Sequence, residues 1–207
     1  SDAYSGIKIE DNSFKLPDEI VSLSSKFDPW VKEQQNQNAK VSDMMSSFSK
    51  YFQDISNTLL SYEGSKVDIS QALKESRSTK SSWDKLLSLI GQNEKAISDV
   101  KANYIKIHVP SDLRSFNNRF GSILDGNLEY YSKLKRAVLT DMNFDEEEEP
   151  DADLVTEKIN EIDAMYEEAE KLNSELSSDY KKFTQDIETE KSKYMNSEYI
   201  GKLIEKQ

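Results

Sequence analysis

The chain contains no cysteine. That absence removes disulfides, thiolate nucleophiles and sulfur-ligated zinc together, and it is compatible with a cytosolic setting. A single histidine, His108, leaves no second imidazole for base-dependent catalysis. Its neighbours Ile107, Val109 and Pro110 suggest a structural residue at a bend. Six glycines and four prolines in 207 residues make turns few and elements long. No run of about 18 apolar residues is present, so no bilayer-spanning helix is expected. The first residues show no basic-then-apolar leader pattern and no initiating methionine, so a fragment or processed form is expected. Glycine-rich phosphate loops, His-Glu-x-x-His and Gly-x-Ser-x-Gly are all missing. The acidic run 146–149 lacks the alternating ligand spacing and the glycine of a calcium loop. The expectation is a protein that is not an enzyme, takes no cofactor, metal or small-molecule substrate, and acts by shape and surface.

Charge and periodicity are what the chain does have. Hydrophobic residues make up 36% and charged residues 32%, a ratio that suits a thin helical bundle with much exposed surface. The net charge of −12 argues against a nucleic-acid partner. It is unevenly spread, at −4 over residues 1–65, +5 over 66–138 and −13 over 139–207. The middle third therefore has the means to present a basic face.

Residues 1–27 read as an irregular lead-in followed by a short amphipathic helix. Pro17, Asp18 and Glu19 suit a first helical turn, and Ile20, Val21, Leu23 and Phe27 form its apolar side. Asp28 and Pro29 then interrupt, and a helix over about 30–60 follows Trp30, Val41, Met44, Met45, Phe48, Phe52, Ile55 and Leu59 at spacings of three and four. A stop falls at 61–65. A second helix over about 67–142 runs through Leu73, Trp83, Leu87, Ile90, Ile97 and Tyr104. It bends near Pro110, as one kinked rod or two helices nearly end to end, and resumes at Leu113, Phe116, Phe120 and Leu134. After the acidic stretch 145–153, a third helix over 153–207 carries the cleanest stripe, from Val155 and Ile159 to Ile187 and Tyr194.

Three long helices with a kinked middle one resemble the BAR-domain protomer, and particular stretches resemble the BAR region of sorting nexins. Phe48 to Phe52, continuing through Leu59 to Gly64, resembles the end of their first helix and the turn after it. Ser70 to Leu73 resembles the start of their second helix, and Ala102 to Ile105 its middle. Phe116 to Phe120 and Tyr130 to Lys135 resemble the section beyond. Glu188 to Lys193, closing on Tyr199 to Ile204, resembles the basic exit of the third. The Ser-, Asn- and Glu-rich style suggests a fungal member. The resemblance spans residues 28–207 and implies an all-α, elongated three-helix antiparallel coiled-coil protomer forming a curved six-helix homodimer, able to assemble further. It implies a membrane-curvature scaffold of endosomal sorting, cytoplasmic and peripheral on anionic or phosphoinositide-containing membranes. It also implies a PX domain upstream.

On that resemblance, the lipid-facing cations would be Lys101, Lys106, Arg114, Arg119, Lys133, Lys135 and Arg136, and the segment from Phe14 to Phe27 would lie where the family inserts a helix into membrane. Packing of that segment on the bundle is the equal alternative. The dimer would bury Trp83, Leu86, Leu87 and Ile90, because so thin a rod leaves apolar residues uncovered. There is one departure from the family: the tip that related domains keep basic is here 145–153, rich in Glu and Asp. Such a tip stands off the membrane, leaves affinity to another domain, or pairs with basic residues of another copy. The alternative to the whole reading is a non-membrane coiled-coil tether or helical interaction module.

Overall fold

The computed structural model describes residues 18–78, 82–144 and 151–205. The irregular lead-in expected at the start, including Phe14 to Pro17, lies outside the described residues. Every regular element among the described residues is helical, so the fold is all-α. Helix α1 spans Asp18–Ser65, α2 Ser70–Ser78, α3 Trp83–Tyr104, α4 Arg114–Asn143, α5 Ala152–Tyr194 and α6 Ser197–Ile204. Short polar side chains set several of the starts. Asp68 accepts from the Ser70 amide at 2.8 Å, Asp151 from the Asp153 amide at 2.9 Å, and Asn196 from the Tyr199 amide at 3.0 Å. Each satisfies a helix-start donor that has no carbonyl partner.

The helix expected to begin near residue 30 begins at Asp18, because α1 runs through Pro29 without a break. A proline inside a helix removes one hydrogen bond and crowds the carbonyl four residues back. Pro29 sits in an exposed stretch of α1, where water can reach the carbonyl left without its donor. Residues 18–27 are therefore the first turns of α1 and not a separate element.

The second expected helix is not one kinked rod. Lys101 of α3 meets Asp125 of α4, Glu94 meets Lys135 at 3.2 Å, and the rings of Tyr104 and Phe120 lie 5.5 Å apart. Residue numbers rise on one helix as they fall on the other, so α3 and α4 are an antiparallel hairpin. The reversal occupies 105–113. There the Ile107 amide bonds to the Tyr104 carbonyl at 3.1 Å, Pro110 has no amide to give, and Ser111–Leu113 forms a single 3-10 turn. The third expected helix likewise ends at Tyr194, with α6 restarting at Ser197.

The same reasoning fixes the remaining directions. Phe116 and Phe120 of α4 stack on Phe183 of α5, while Asp141 accepts from the Tyr166 hydroxyl at 3.1 Å, so α4 and α5 are antiparallel. Phe48 meets Tyr194, and Tyr180 donates to Glu63, so α1 and α5 are antiparallel too. Tyr51 bonds Asn117 and Tyr62 bonds Asn127, a nearly constant offset that makes α1 and α4 parallel. Helices α1, α3, α4 and α5 form an up-down-up-down four-helix bundle. Helix α2 packs on α3, and α6 packs on α1 and α5.

Phe120 lies at the centre, fully buried, with Tyr62 of α1, Tyr104 of α3 and Phe183 of α5 around its ring. Offset and edge-on aromatic contacts of this kind add to the area they bury. Trp83, Leu86 and Ile90 belong to this same core, at 5%, 0% and 0% exposure, and Leu87 is half-buried against it. Three of the four residues expected at a dimer surface, Trp83, Leu86 and Ile90, are therefore closed within the chain itself, because packing of α3 against α4, α1 and α2 covers the stripe that a bare three-helix rod would have left open.

Among the described residues three asparagines are buried with this core, and each is satisfied. The Asn117 side-chain carbonyl accepts from Tyr51 at 3.3 Å and its amide donates to the Tyr104 hydroxyl at 2.6 Å, which itself donates to the Asn117 backbone carbonyl at 2.7 Å. Asn127 accepts from Tyr62 at 3.1 Å and donates to the Ile123 carbonyl at 2.7 Å. Asn93 accepts from the Val67 amide at 2.8 Å and donates to the Val67 carbonyl at 2.9 Å, holding the link between α1 and α2. Replacing Asn117 by Leu leaves the buried Tyr51 hydroxyl without its acceptor. The expected loss is about 1–3 kcal/mol in urea unfolding. Adding Tyr51→Phe to Asn117→Leu should recover part of that loss, because the orphaned hydroxyl goes with it.

Candidate interaction surfaces

The seven cations named from the sequence do not form one open basic face. Lys101 is paired with Asp125, Arg119 with Asp186 at 2.8 Å, Lys133 with Glu168 at 2.6 Å and Glu129 at 3.6 Å, and Lys135 with Glu94 at 3.2 Å. All of these pairs except Lys133 with Glu129 join two different helices. Arg119 also lies over the Phe116 and Phe183 rings, with its guanidinium carbon 5.7 and 5.8 Å from their centroids. Arg136 helps hold the Glu161 and Glu168 carboxyls below their usual range, behind the larger effects of Lys158 and Lys133. Lys106 and Arg114 flank the α3–α4 turn, where Lys106 donates to Asn103 at 3.3 Å. Four of the seven positive charges, those of Lys101, Arg119, Lys133 and Lys135, are thus matched within the bundle.

The acidic tip divides into two parts. The run 146–149 lies outside the described residues. Asp151 and Asp153 are exposed at the start of α5, where Asp151 caps the helix and negative charge suits the dipole.

An open apolar ridge lies elsewhere. Leu23, Phe27 and Trp30 on α1 are 67%, 61% and 57% exposed, with the Phe27 and Trp30 rings 5.4 Å apart. Farther along the same helix, Phe48, Tyr51, Phe52 and Ile55 are all at 1% or less. Helix α1 therefore leaves the bundle as an arm, and nothing among the described residues covers the apolar side of that arm. The sequence marks these residues as an apolar side but not what they face. Large side chains of the buried part and of the open part have the same helical spacing and look alike in sequence.

Polar chemistry clusters where α1 ends. Tyr62 donates to Asn127, Lys66 donates to the Tyr62 hydroxyl with its ammonium 3.9 Å from the Tyr62 ring centre, and Tyr180 donates to Glu63 at 2.6 Å. Removal of water from the Lys66 ammonium pulls its pKa down to about 8, opposed by Glu63, although the side chain as a whole remains exposed. The local sequence signal for this cluster is slight: Tyr62 stands one helix turn before Lys66, while Asn127 and Tyr180 are far along the chain. Among the described residues, no group of three or more His, Cys, Asp or Glu is arranged to hold a metal ion, and no helix is long and apolar enough to cross a membrane.

Comparisons with protein-family models, with curated proteins and with solved structures found no match.

The side-chain environments give the bundle a defined alkaline limit. Burial holds Tyr130 and Tyr131 up to about 12 and raises Tyr51 and Tyr62 further still, against an ordinary value of 10.0. A raised tyrosine pKa means that the folded state keeps a proton the unfolded chain gives up. That contribution is complete below pH 10 and is lost as pH climbs towards 12. Unfolding midpoints should accordingly fall steeply over that interval when followed by circular dichroism. The inter-helix ion pairs have a test of their own, since Lys133→Glu would set a third carboxylate beside Glu129 and Glu168. The expected result is a lower thermal midpoint, with the deficit shrinking as salt is added.

Proposed function

We propose that this protein is a non-catalytic helical interaction module: a rigid four-helix bundle that carries one helix beyond its core as a docking arm. The observation that carries the reading is the contrast along α1, open at Leu23, Phe27 and Trp30 and closed from Phe48 onward. Large apolar side chains held on a regular helix away from the core contribute little to folding and much to binding. The ion pairs support the same reading, because cations already matched to carboxylates on neighbouring helices have less to offer an anionic membrane. The hairpin of α3 with α4 supports it as well, since it gives the chain a closed core of its own.

A second reading is favoured by one specific observation. The exposed Leu23 and Phe27 belong to the segment that the sorting-nexin resemblance makes a membrane-inserting helix, and the exposed Trp30 follows directly. Aromatic side chains of this type settle at the lipid–water boundary. In that reading the chain is the curvature-sensing BAR scaffold of an endosomal sorting protein. Co-sedimentation with anionic vesicles of two sizes, read together with Trp30 emission, separates the two. Binding that strengthens on small vesicles, with a blue shift, favours the scaffold.

The docking reading itself is tested on the triple variant Leu23→Ser, Phe27→Ser, Trp30→Ser. The thermal midpoint should stay close to that of the unaltered protein, because these side chains lie outside the packed core. A loss as large as that of a core truncation, about 3 kcal/mol or more, would mean that the ridge is part of the fold and would sink the reading.

A further inference from the structure

The apolar ridge of the arm stands in the same register as the seam that the bundle buries, with Gln34 and Gln37 between the two. Along α1, Phe27 stands in a seven-residue register with Gln34, Val41 and Phe48, and Leu23 stands likewise with Trp30, Gln37 and Met44. This is the heptad frame of a coiled coil, sustained across the point where the bundle ends. Val41 and Met44 are half-buried and Phe48 is closed, whereas Trp30, Phe27 and Leu23 are open. Pro29 falls on the outer side of this frame, away from the seam.

The charges beside the ridge alternate in the same frame. Lys26, Glu33 and Lys40 are seven residues apart, at the position next to the seam, and all three are exposed. In an antiparallel coiled coil, residues at this position meet their equivalents on the facing helix. An antiparallel pairing of two arms that sets Phe27 of each copy against Trp30 of the other brings Lys26 of each copy to Glu33 of the other. Both pairs form at once, as two-fold symmetry requires. A parallel, in-register pairing would instead set Lys26 against Val31 and Glu33 against Asn38, with no opposite charges meeting.

Resting on the docking reading above, we propose that the arm's occupant is the arm of a second copy of this chain, paired antiparallel through Leu23, Phe27 and Trp30 and oriented by reciprocal Lys26–Glu33 contacts. The overlap of residues 20–37 is about 27 Å long at about 1.5 Å per residue. The seam contains Gln34 and Gln37 on each copy, so the association is modest in strength and specific in register.

Sedimentation velocity of the full chain across the micromolar to sub-millimolar range should show a reversible monomer–dimer equilibrium. Phe27→Ser with Trp30→Ser should abolish the dimer. Lys26→Glu alone and Glu33→Lys alone should each weaken it by about tenfold, since each sets like charges together twice. Mixing those two variants in equal amounts should restore association, because position 26 of each copy then faces a position 33 of opposite charge on the unlike copy. A monomer at every concentration, a dimer indifferent to the serine variant, or a mixture that fails to recover would each overturn the proposal. Failure of this kind with an unchanged thermal midpoint in the serine variant leaves the docking reading standing. A lowered midpoint removes both.

Discussion

The bundle depends on a small set of buried hydrogen bonds between tyrosine hydroxyls and asparagine side chains. Tyr51 and Tyr62 on α1 reach Asn117 and Asn127 on α4, and Tyr104 on α3 closes on Asn117. Apolar contact alone would let long helices slide against one another, since one apolar seam is much like another a turn away. A buried asparagine has no such freedom. Sliding α1 by one turn would strand both hydroxyls and both side-chain carbonyls in a low-dielectric core, at a cost of a few kcal/mol. The pairs stand about three turns apart, so together they set both the register of α1 and its direction relative to α4.

That register decides what remains outside. With Tyr51 held at Asn117, Phe48 comes to lie against Tyr194 at the end of α5, and α6 turns back onto α1. No further helix is left among the described residues to cover the ridge from Leu23 to Trp30. The arm is the part of a 48-residue helix that overshoots its bundle. Inter-helix ion pairs such as Arg119–Asp186 and Lys133–Glu168 line the outside of the same bundle and occupy cations that would otherwise form a basic surface. The same packing thus sets both shape and charge: it leaves an apolar ridge open on α1 and pairs cations with carboxylates around the bundle.

Much of the helical content is legible in the sequence, because the three- and four-residue spacing from Val41 to Leu59 and from Ile159 to Ile187 has one local solution. Boundaries set by short polar caps are visible as well, at Asp68 and near Asp151. The proline positions are less so. Pro29 and Pro110 carry the same local cost, yet one is absorbed inside α1 and the other sits in a chain reversal. The difference lies in distant partners: Pro110 belongs to a turn that Tyr104 and Asn117 draw closed, whereas nothing among the described residues packs so as to hold a turn at Pro29. The stripe through Trp83, Leu86 and Ile90 shows the same limit. Its apolar character is plain, but whether it faces its own chain or another depends on that turn.

The sequence by itself determined that this chain is helical, where most of its helices run, and that the start of α1 has an apolar side, because these are properties of local spacing and capping. Only the tertiary structure decided that four helices close on one another, that most of the candidate cations are matched by carboxylates, and that Leu23, Phe27 and Trp30 stay open. Those outcomes rest on contacts between residues tens of positions apart, which no local pattern encodes.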